Sequence, residues 1–501
     1  MKKILLASLI CFFACALWAQ SEYFKKIKIG SNDFIVNAKG DTFQVAYDIK
    51  DLKDNITALD LSGKRSQKIP EQIFWHKPLR VLILSGSQIQ NLPVEIENLE
   101  NLSALILTFT NLNTLPSEIG KLEKLTTLVV SSSKLSSLPF EIGQLKNLRT
   151  LVLSYTELNN LPEELWQLEN IETLHLGSSS LSSFNYISSK IGQLKHLSSL
   201  SLSAYNLNDL PPEIGLLVKL TSLDLSGKLK YLPKEVWQLK NLESLKLSAS
   251  DLDSLPSEIG ELEKLTSLSI TCNTLYSLPP ELGKLHNLIS LTISGRRLHK
   301  LPSEIGDLTN LIELEINNTT FKDLPPEFGN LKNLTNLNLS WNQLSSLPPE
   351  IGSLDNLENL ISYGTPLSGL PPEIGKLKNL KSIKLAGEKF SWLPTEIGQL
   401  NNLVELNLKN TSLSNLPNEI GKLTNLSTLF LAHNQLRNLP PEIGQLKNLT
   451  TLDLGNNKLT GLPIEIGHLK SLGVLVLYGN KIPLSEQNNI QALLPKSKIL
   501  F

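Results

Sequence analysis

The chain has 501 residues, with 47 basic and 48 acidic side chains and a formal net charge of −1, and length alone would suggest about three domains. Lys and Arg are interspersed among Asp and Glu, which leaves no basic stripe for nucleic acid and no polybasic patch for a membrane surface. Electrostatics therefore names no partner.

Residues 1–19, MKKILLASLICFFACALWA, open with Lys2 and Lys3, continue through an apolar stretch from Ile4 to Leu17 and end on the small residue Ala19. That is the layout of a secretory signal peptide, and no later segment has the ~18 to 20 continuous apolar residues of a membrane span. An exported chain is expected, whether secreted, periplasmic or held at the outer cell surface. Cleavage after Ala19 would leave Cys272 as the last cysteine, so no intrachain disulfide is expected. The alternative is a lipid anchor on Cys15, which follows the small residue Ala14, although Phe12 departs from the usual lipoprotein pattern.

Residues 20–54 alternate apolar and polar side chains around Phe34-Ile35-Val36 and Phe43, Val45 and Tyr47. This segment is expected to form an N-terminal cap, because the first coil of a repeat array otherwise exposes its core.

From about residue 55 to 481 one unit recurs. LPSEIGKLEKLTTLVVSSSKLSS at 115–137 and LPPEIGQLKNLTTLDLGNNKLTG at 439–461 are the same sentence, and its proline returns every 23 residues from Pro256 to Pro463. Nineteen Leu-x-x-Leu-x-Leu segments can be counted. The regularity breaks at Phe184-Asn185-Tyr186, which has no proline, and at a one-residue deletion near Gly227-Lys228-Leu229.

Within the unit, Leu452 and Leu454 are two apart, the period of a strand, and Thr451, Asp453 and Gly455 take the other face. Pro440-Pro441-Glu442 then places proline and an acidic residue in a first helical turn, with Gly444 as its expected stop. A lone unit buries too little to offset its ordering entropy, so the units must stack and pair their strands into one parallel sheet.

These motifs resemble the leucine-rich repeat family, in the 23-residue form found in bacterial surface and secreted proteins and in Ras-associated and scribble-type scaffolds. The resemblance implies an α/β solenoid, or horseshoe, with about nineteen parallel strands on the concave face and short helical or 3-10 turns on the convex face. It also implies an Asn three residues after the last strand leucine. Asn stands there at 273, 342, 434, 457 and 480, while Ser or Thr replaces it at 87, 110, 133, 156, 179, 250, 319, 365 and 411. A hydroxyl makes fewer bonds than an amide, which predicts looser turns in the first two thirds of the chain.

Residues 482–501, with an amphipathic turn near Ser485–Leu494 and then Pro495, read as a C-terminal cap. The seven histidines show no metal-ligand spacing, and acidic residues such as Glu118, Glu258 and Glu442 form an exposed row explained by helix-start electrostatics. Neither a glycine-rich phosphate loop nor a Gly-x-Ser-x-Gly turn occurs. No catalytic residue, metal or cofactor is expected, and the reading is a non-enzymatic scaffold for a protein partner.

Function is then expected on the strand residues that alternate with the leucines. VLILS at 81–85 and its counterparts at 104–108, 127–131 and 150–154 place Val81, Ile83, Ile106, Val129 and Val152 side by side, with Phe109 and Tyr155 beside them. This apolar patch either meets a partner or lies under residues 20–54. A second candidate surface combines Glu313, Glu315, Trp341, Tyr363, Lys384, Glu405, Phe430 and His433, aromatic anchors among charges. A surface adhesin binding glycan or host matrix is the competing reading.

Overall fold

In a computed structural model, described over residues 24–29, 32–37, 39–178, 184–248, 251–387, 389 and 391–501, the chain falls into two units that divide between Leu242 and Glu243. The signal segment with Cys11 and Cys15, and the turn positions Ser179 and Ser250, lie outside the described residues.

In the first unit, strands β1 (Phe24–Ile29), β2 (Asn32–Asn37) and β3 (Thr42–Ala46) form an antiparallel meander. The last of them pairs in parallel with Ala58–Asp60, Val45 opposite Ala58. From there strand follows strand in parallel to Ser222–Ser226. In the second unit the same ladder runs from Ser244–Ser248 to Val474–Val476. Between Ala58 and Val476 nineteen strands are described, as the repeat count predicts.

The register is set by the repeat length. Leu429 faces Leu452 and Leu452 faces Leu475, each 23 residues on, so like side chains stack and the inward rows of the strands form continuous buried stripes. Convex connections are five-residue 3-10 helices such as Pro441–Gln445, with Pro440 extended at the N-cap and Pro441 at the first helical position. Their glycines do not serve as stops. Gly352 is buried inside its 3-10 helix, and a Cβ there would lie 2.6 Å from the Glu373 carbonyl oxygen of the next turn. Glycine recurs because successive turns approach too closely for a side chain, and not because the helix must end.

At the irregular repeat Ser188 takes the place of the missing proline, its hydroxyl accepting from the Lys190 amide, while Phe184 is buried. The chain closes on helix α1 (Leu484–Leu493) and a strand, Lys498–Leu500, that pairs in parallel with Val474–Val476. No helix among the described residues is long and apolar enough to cross a membrane.

Two kinds of turn leave the strands. In the first, the residue after the strand segment is left-handed and exposed or half-exposed, and the next side chain points into the core. Gly86, Phe109, Ser132 and Tyr155 (φ 71, 55, 53 and 57°) do this in the first unit, and Asn318, Trp341, Asn410, His433 and Asn456 (φ 55, 60, 57, 58 and 54°) in the second. The inward residue then carries the hydrogen bonds. Asn434 donates to the Leu408 and Leu431 carbonyls at 2.7 and 3.0 Å and accepts from the amides of Thr411, Ser412 and Leu413. Thr156 donates to Leu153 and Gly177, and the buried Ser87 hydroxyl has no partner among the described residues. Replacing Asn by a hydroxyl thus lowers the bond count without changing the left-handed geometry, so the expected looseness has no counterpart in the backbone.

In the second kind, Ala204, Gly227, Cys272 and Gly295 turn inward and the following residue turns out. A Cβ on Gly227 would lie 2.7 Å from the Ala204 oxygen, so only small side chains fit. Asn273 is consequently exposed and does not occupy the inward amide slot expected of it, which Cys272 fills by bonding the Leu252 carbonyl.

Candidate functional site

The apolar patch of the first unit is covered. Ile35, Phe43 and Val45 form one buried cluster with Ala58, Val81, Ile83, Ala104, Ile106, Val129 and Val152. The Lys26 ammonium on β1 reaches over to Asp60, 2.9 Å away, whose carboxylate also accepts from the Ser62 amide and hydroxyl. Val81, Ile83, Ile106, Val129 and Val152 are therefore core residues and not a docking surface. The meander continues the sheet, and burying it against this apolar stretch removes both from water. Phe109 beside this patch is half-buried, and Tyr155 is 64% exposed.

The concave face of the second unit has no such cover among the described residues. Glu313 and Glu315 stand exposed on the strand Glu313–Asn317, opposite Asn336 and Asn338. Trp341 follows the next strand; its amide donates to the Tyr363 carbonyl at 2.7 Å, and its indole lies over Gly364, where a Cβ would come within 2.6 Å of the ring. The indole is nevertheless 64% exposed. Tyr363 is half-buried one strand on, its amide donating to the Ser340 hydroxyl.

Lys384 and Glu405 form an ion pair of 2.9 Å, and the Glu405 carboxylate holds the Lys384 ammonium above its ordinary pKa. Asn407 stands between Lys384 and Phe430 in the register. Lys409 bridges to Asp453 at 2.7 Å and lies 4.5 Å from the Phe430 ring centroid. His433 is exposed, 3.3 Å from the Asn456 amide nitrogen. The eight predicted residues from Glu313 to His433 thus share one open face, with Lys384 and Lys409 already neutralised and Glu313 and Glu315 without an ion pair among the described residues.

No group of three His, Cys, Asp or Glu side chains among the described residues could hold a metal ion. His175, next to Val152 in the register, bonds the Ser199 hydroxyl at 3.0 Å, and burial pushes its imidazole below the usual pKa. The carboxylate row at the 3-10 starts is not the exposed row expected: Glu258 is exposed, but Glu118 and Glu442 are half-buried, and at Glu118 a backbone bond and the Ser117 hydroxyl hold the carboxyl below its usual value.

A feature that the sequence reading passed over lies where the chain climbs back to the strands. Asn287, Asn310, Asn333, Asn356 and Asn379 each donate Nδ2 to the carbonyl 24 residues earlier, at 2.8 to 3.0 Å. They line a groove of about 880 Å³ in the second unit. The signal was present: from Asn287 to Asn379 an Asn directly precedes the first leucine of five successive strand segments at 23-residue spacing.

Comparison with known proteins agrees with this architecture. The family model of a leucine-rich repeat region matches residues 180–294, 237–317, 280–365 and 403–494. The solved structure of a Leptospira interrogans leucine-rich repeat protein is 41% identical, over 76% of this chain and 96% of that one, with a TM-score of 0.70. The ectodomain of the Arabidopsis receptor kinase HAESA, in complex with an IDA peptide hormone, is 27% identical over 84% of this chain and 74% of that one, with a TM-score of 0.59. The plant peptide hormone receptor RGFR1, in complex with RGF2, is 26% identical over 93% of each chain, with a TM-score of 0.50. No protein with a curated description matches. With its 23-residue unit, one strand per unit and a solved relative matched over nearly its whole length, the chain belongs to the leucine-rich repeat family.

Proposed function

We propose that the chain is an exported, non-enzymatic scaffold that holds an extended segment of another protein on the concave face of its second unit. Glu313, Glu315, Trp341, Tyr363, Lys384, Glu405, Phe430 and His433 form the contact surface. The observation that carries this reading is Trp341. A bulky side chain in the left-handed region costs about 1–2 kcal/mol, which glycine in the same place avoids, yet the indole is held there mostly in solvent. The indole rests on Gly364 and leaves the rest of its surface to solvent among charged neighbours, the setting of an aromatic contact residue. The peptide hormones bound by the two plant receptors support the mode of binding.

Panning a displayed peptide library on the purified chain tests the proposal. Enriched peptides should lose about thirtyfold or more in affinity on Trp341→Gly combined with Phe430→Ser, the size of a hot-spot loss. Glycine suits the backbone at 341, so the variant keeps its fold. Peptides that bind the variant and the parent alike would overturn the site. Export is tested by the mass of the released protein, which should begin at Gln20; a lipid-modified Cys15 at the N-terminus would replace cleavage after Ala19.

A further inference from the structure

Along its asparagine row the groove of the second unit offers free hydrogen-bond acceptors, with the Lys264 ammonium and the Glu243 carboxylate at one end. In each of Asn287, Asn310, Asn333, Asn356 and Asn379 one Nδ2 hydrogen is given to a backbone carbonyl, which fixes the amide and leaves its Oδ1 and second N–H for a ligand. The hydroxyls of Thr266 and Thr335 are likewise spent on the carbonyls of Glu243 and Ile312. None of the five Oδ1 atoms receives a bond from a described residue. Beside them Ile289 and Ile312 are 44% and 40% exposed, on rows where other repeats carry Thr, Glu or Lys.

A ligand for this groove must supply donors at the repeat spacing and an apolar face. Sulfate, phosphate and carboxylate groups are acceptors and gain little from a row of carbonyl oxygens with one cation, Lys264, at its end. The groove carries little net charge for an ionic segment: Lys264 and Glu243 are of opposite sign, and the Glu358 carboxylate already holds the Lys381 ammonium at 2.7 Å. An extended peptide presents its same-side groups every two residues, about 6.6 Å apart, and drifts out of step with rows ~4.8 Å apart. Sugar hydroxyls donate freely, a β-linked pyranose chain advances by close to one ring per repeat, and the ring's C–H face suits isoleucine. The volume, about 880 Å³, lies within the range of ordinary ligand sites.

We propose that this groove binds a neutral, linear, β-linked polysaccharide, its hydroxyls donating to the asparagine row and its rings lying on Ile289 and Ile312. The site is separate from the concave face and stands without the peptide-binding reading.

Native gel electrophoresis of the full chain through hydroxyethyl cellulose, with amylose and heparin in parallel gels, tests it. Retardation is expected in the β-linked glucan alone, and Ile289→Glu with Ile312→Glu should weaken it about tenfold. Both side chains are exposed, so the thermal melt of that variant should match the parent. Migration unaffected by the β-glucan, equal retardation of the variant, or retardation by heparin instead would overturn the proposal. Trp341→Gly should leave retardation unchanged; its loss in that variant would move the binding to the concave face and overturn the groove assignment.

Discussion

The concave faces of the two units are built from the same strand pattern and end in opposite states. In the first, apolar residues alternate with the leucines and are buried under Ile35, Phe43 and Val45. In the second, mostly polar residues such as Ser269, Thr292, Glu315, Asn338 and Lys384 take those places and are exposed or half-exposed. An outward residue of a repeat strand is thus not free by virtue of its position. Whether it is core or surface is decided by its polarity together with the chain that lies outside the repeats.

Placing a charge on each face should break the symmetry most strongly. Ile83→Lys puts an ammonium into the covered cluster and should cost at least about 3 kcal/mol, or displace the meander. Thr292→Lys, at the equivalent place on the open face, should stay within about 0.5 kcal/mol. Urea unfolding followed by hydrogen exchange across 24–46 would read both, and equal costs would show that the first face is not sealed.

The turns give a smaller contrast. Asn434→Ala leaves the amides of Thr411, Ser412 and Leu413 without their side-chain acceptor and takes one donor each from the Leu408 and Leu431 carbonyls, which keep the Thr411 hydroxyl and the Asn457 amide, and should cost about 2–3 kcal/mol. Ser87→Ala removes a buried hydroxyl that bonds nothing and should be neutral or slightly stabilising. Protection of the Leu413 amide, which donates to Asn434, is the local measure. A costly Ser87→Ala would mean that the hydroxyl turns carry more than their bonds show.

Much of this was legible in the sequence, because a 23-residue period fixes strand, turn and register together. The patch around VLILS was legible only as an alternative. Alternation shows that Ile83 faces outward, but not that a strand from residues 20–54 returns across it, since that contact joins segments with no shared period. The glycine of Glu-Ile-Gly was misread for a similar reason: its requirement is a carbonyl one repeat away, as at Gly352, and not its own backbone angle. Asn273 matched the inward slot by counting, yet small Cys272 beside it allowed the backbone to tuck in and turned the amide out. Single-position spacing does not register that exchange. The groove asparagines were readable as a row but not as acceptors, because the commitment of each Nδ2 depends on a carbonyl 24 residues away.

At the border of the covered patch stands His175, and it makes the stability of the first unit depend on pH. Burial is the larger influence and favours the neutral ring, while Asp224 acts weakly the other way, so the folded-state pKa lies below the ordinary 6.5. Above 6.5 both the folded and the unfolded ring are neutral and the residue contributes no pH dependence. As pH falls through 6.5 the unfolded chain takes up the proton first, and stability declines until the folded ring also protonates at its lowered pKa; below that point the loss is constant. His175→Gln should flatten this part of the profile without altering stability at pH 8 by more than about 1 kcal/mol. Urea midpoints between pH 8 and pH 5 measure the slope. A histidine profile that matches the glutamine one would mean that the imidazole is as well solvated folded as unfolded, and that the cover over the first face ends before Val152.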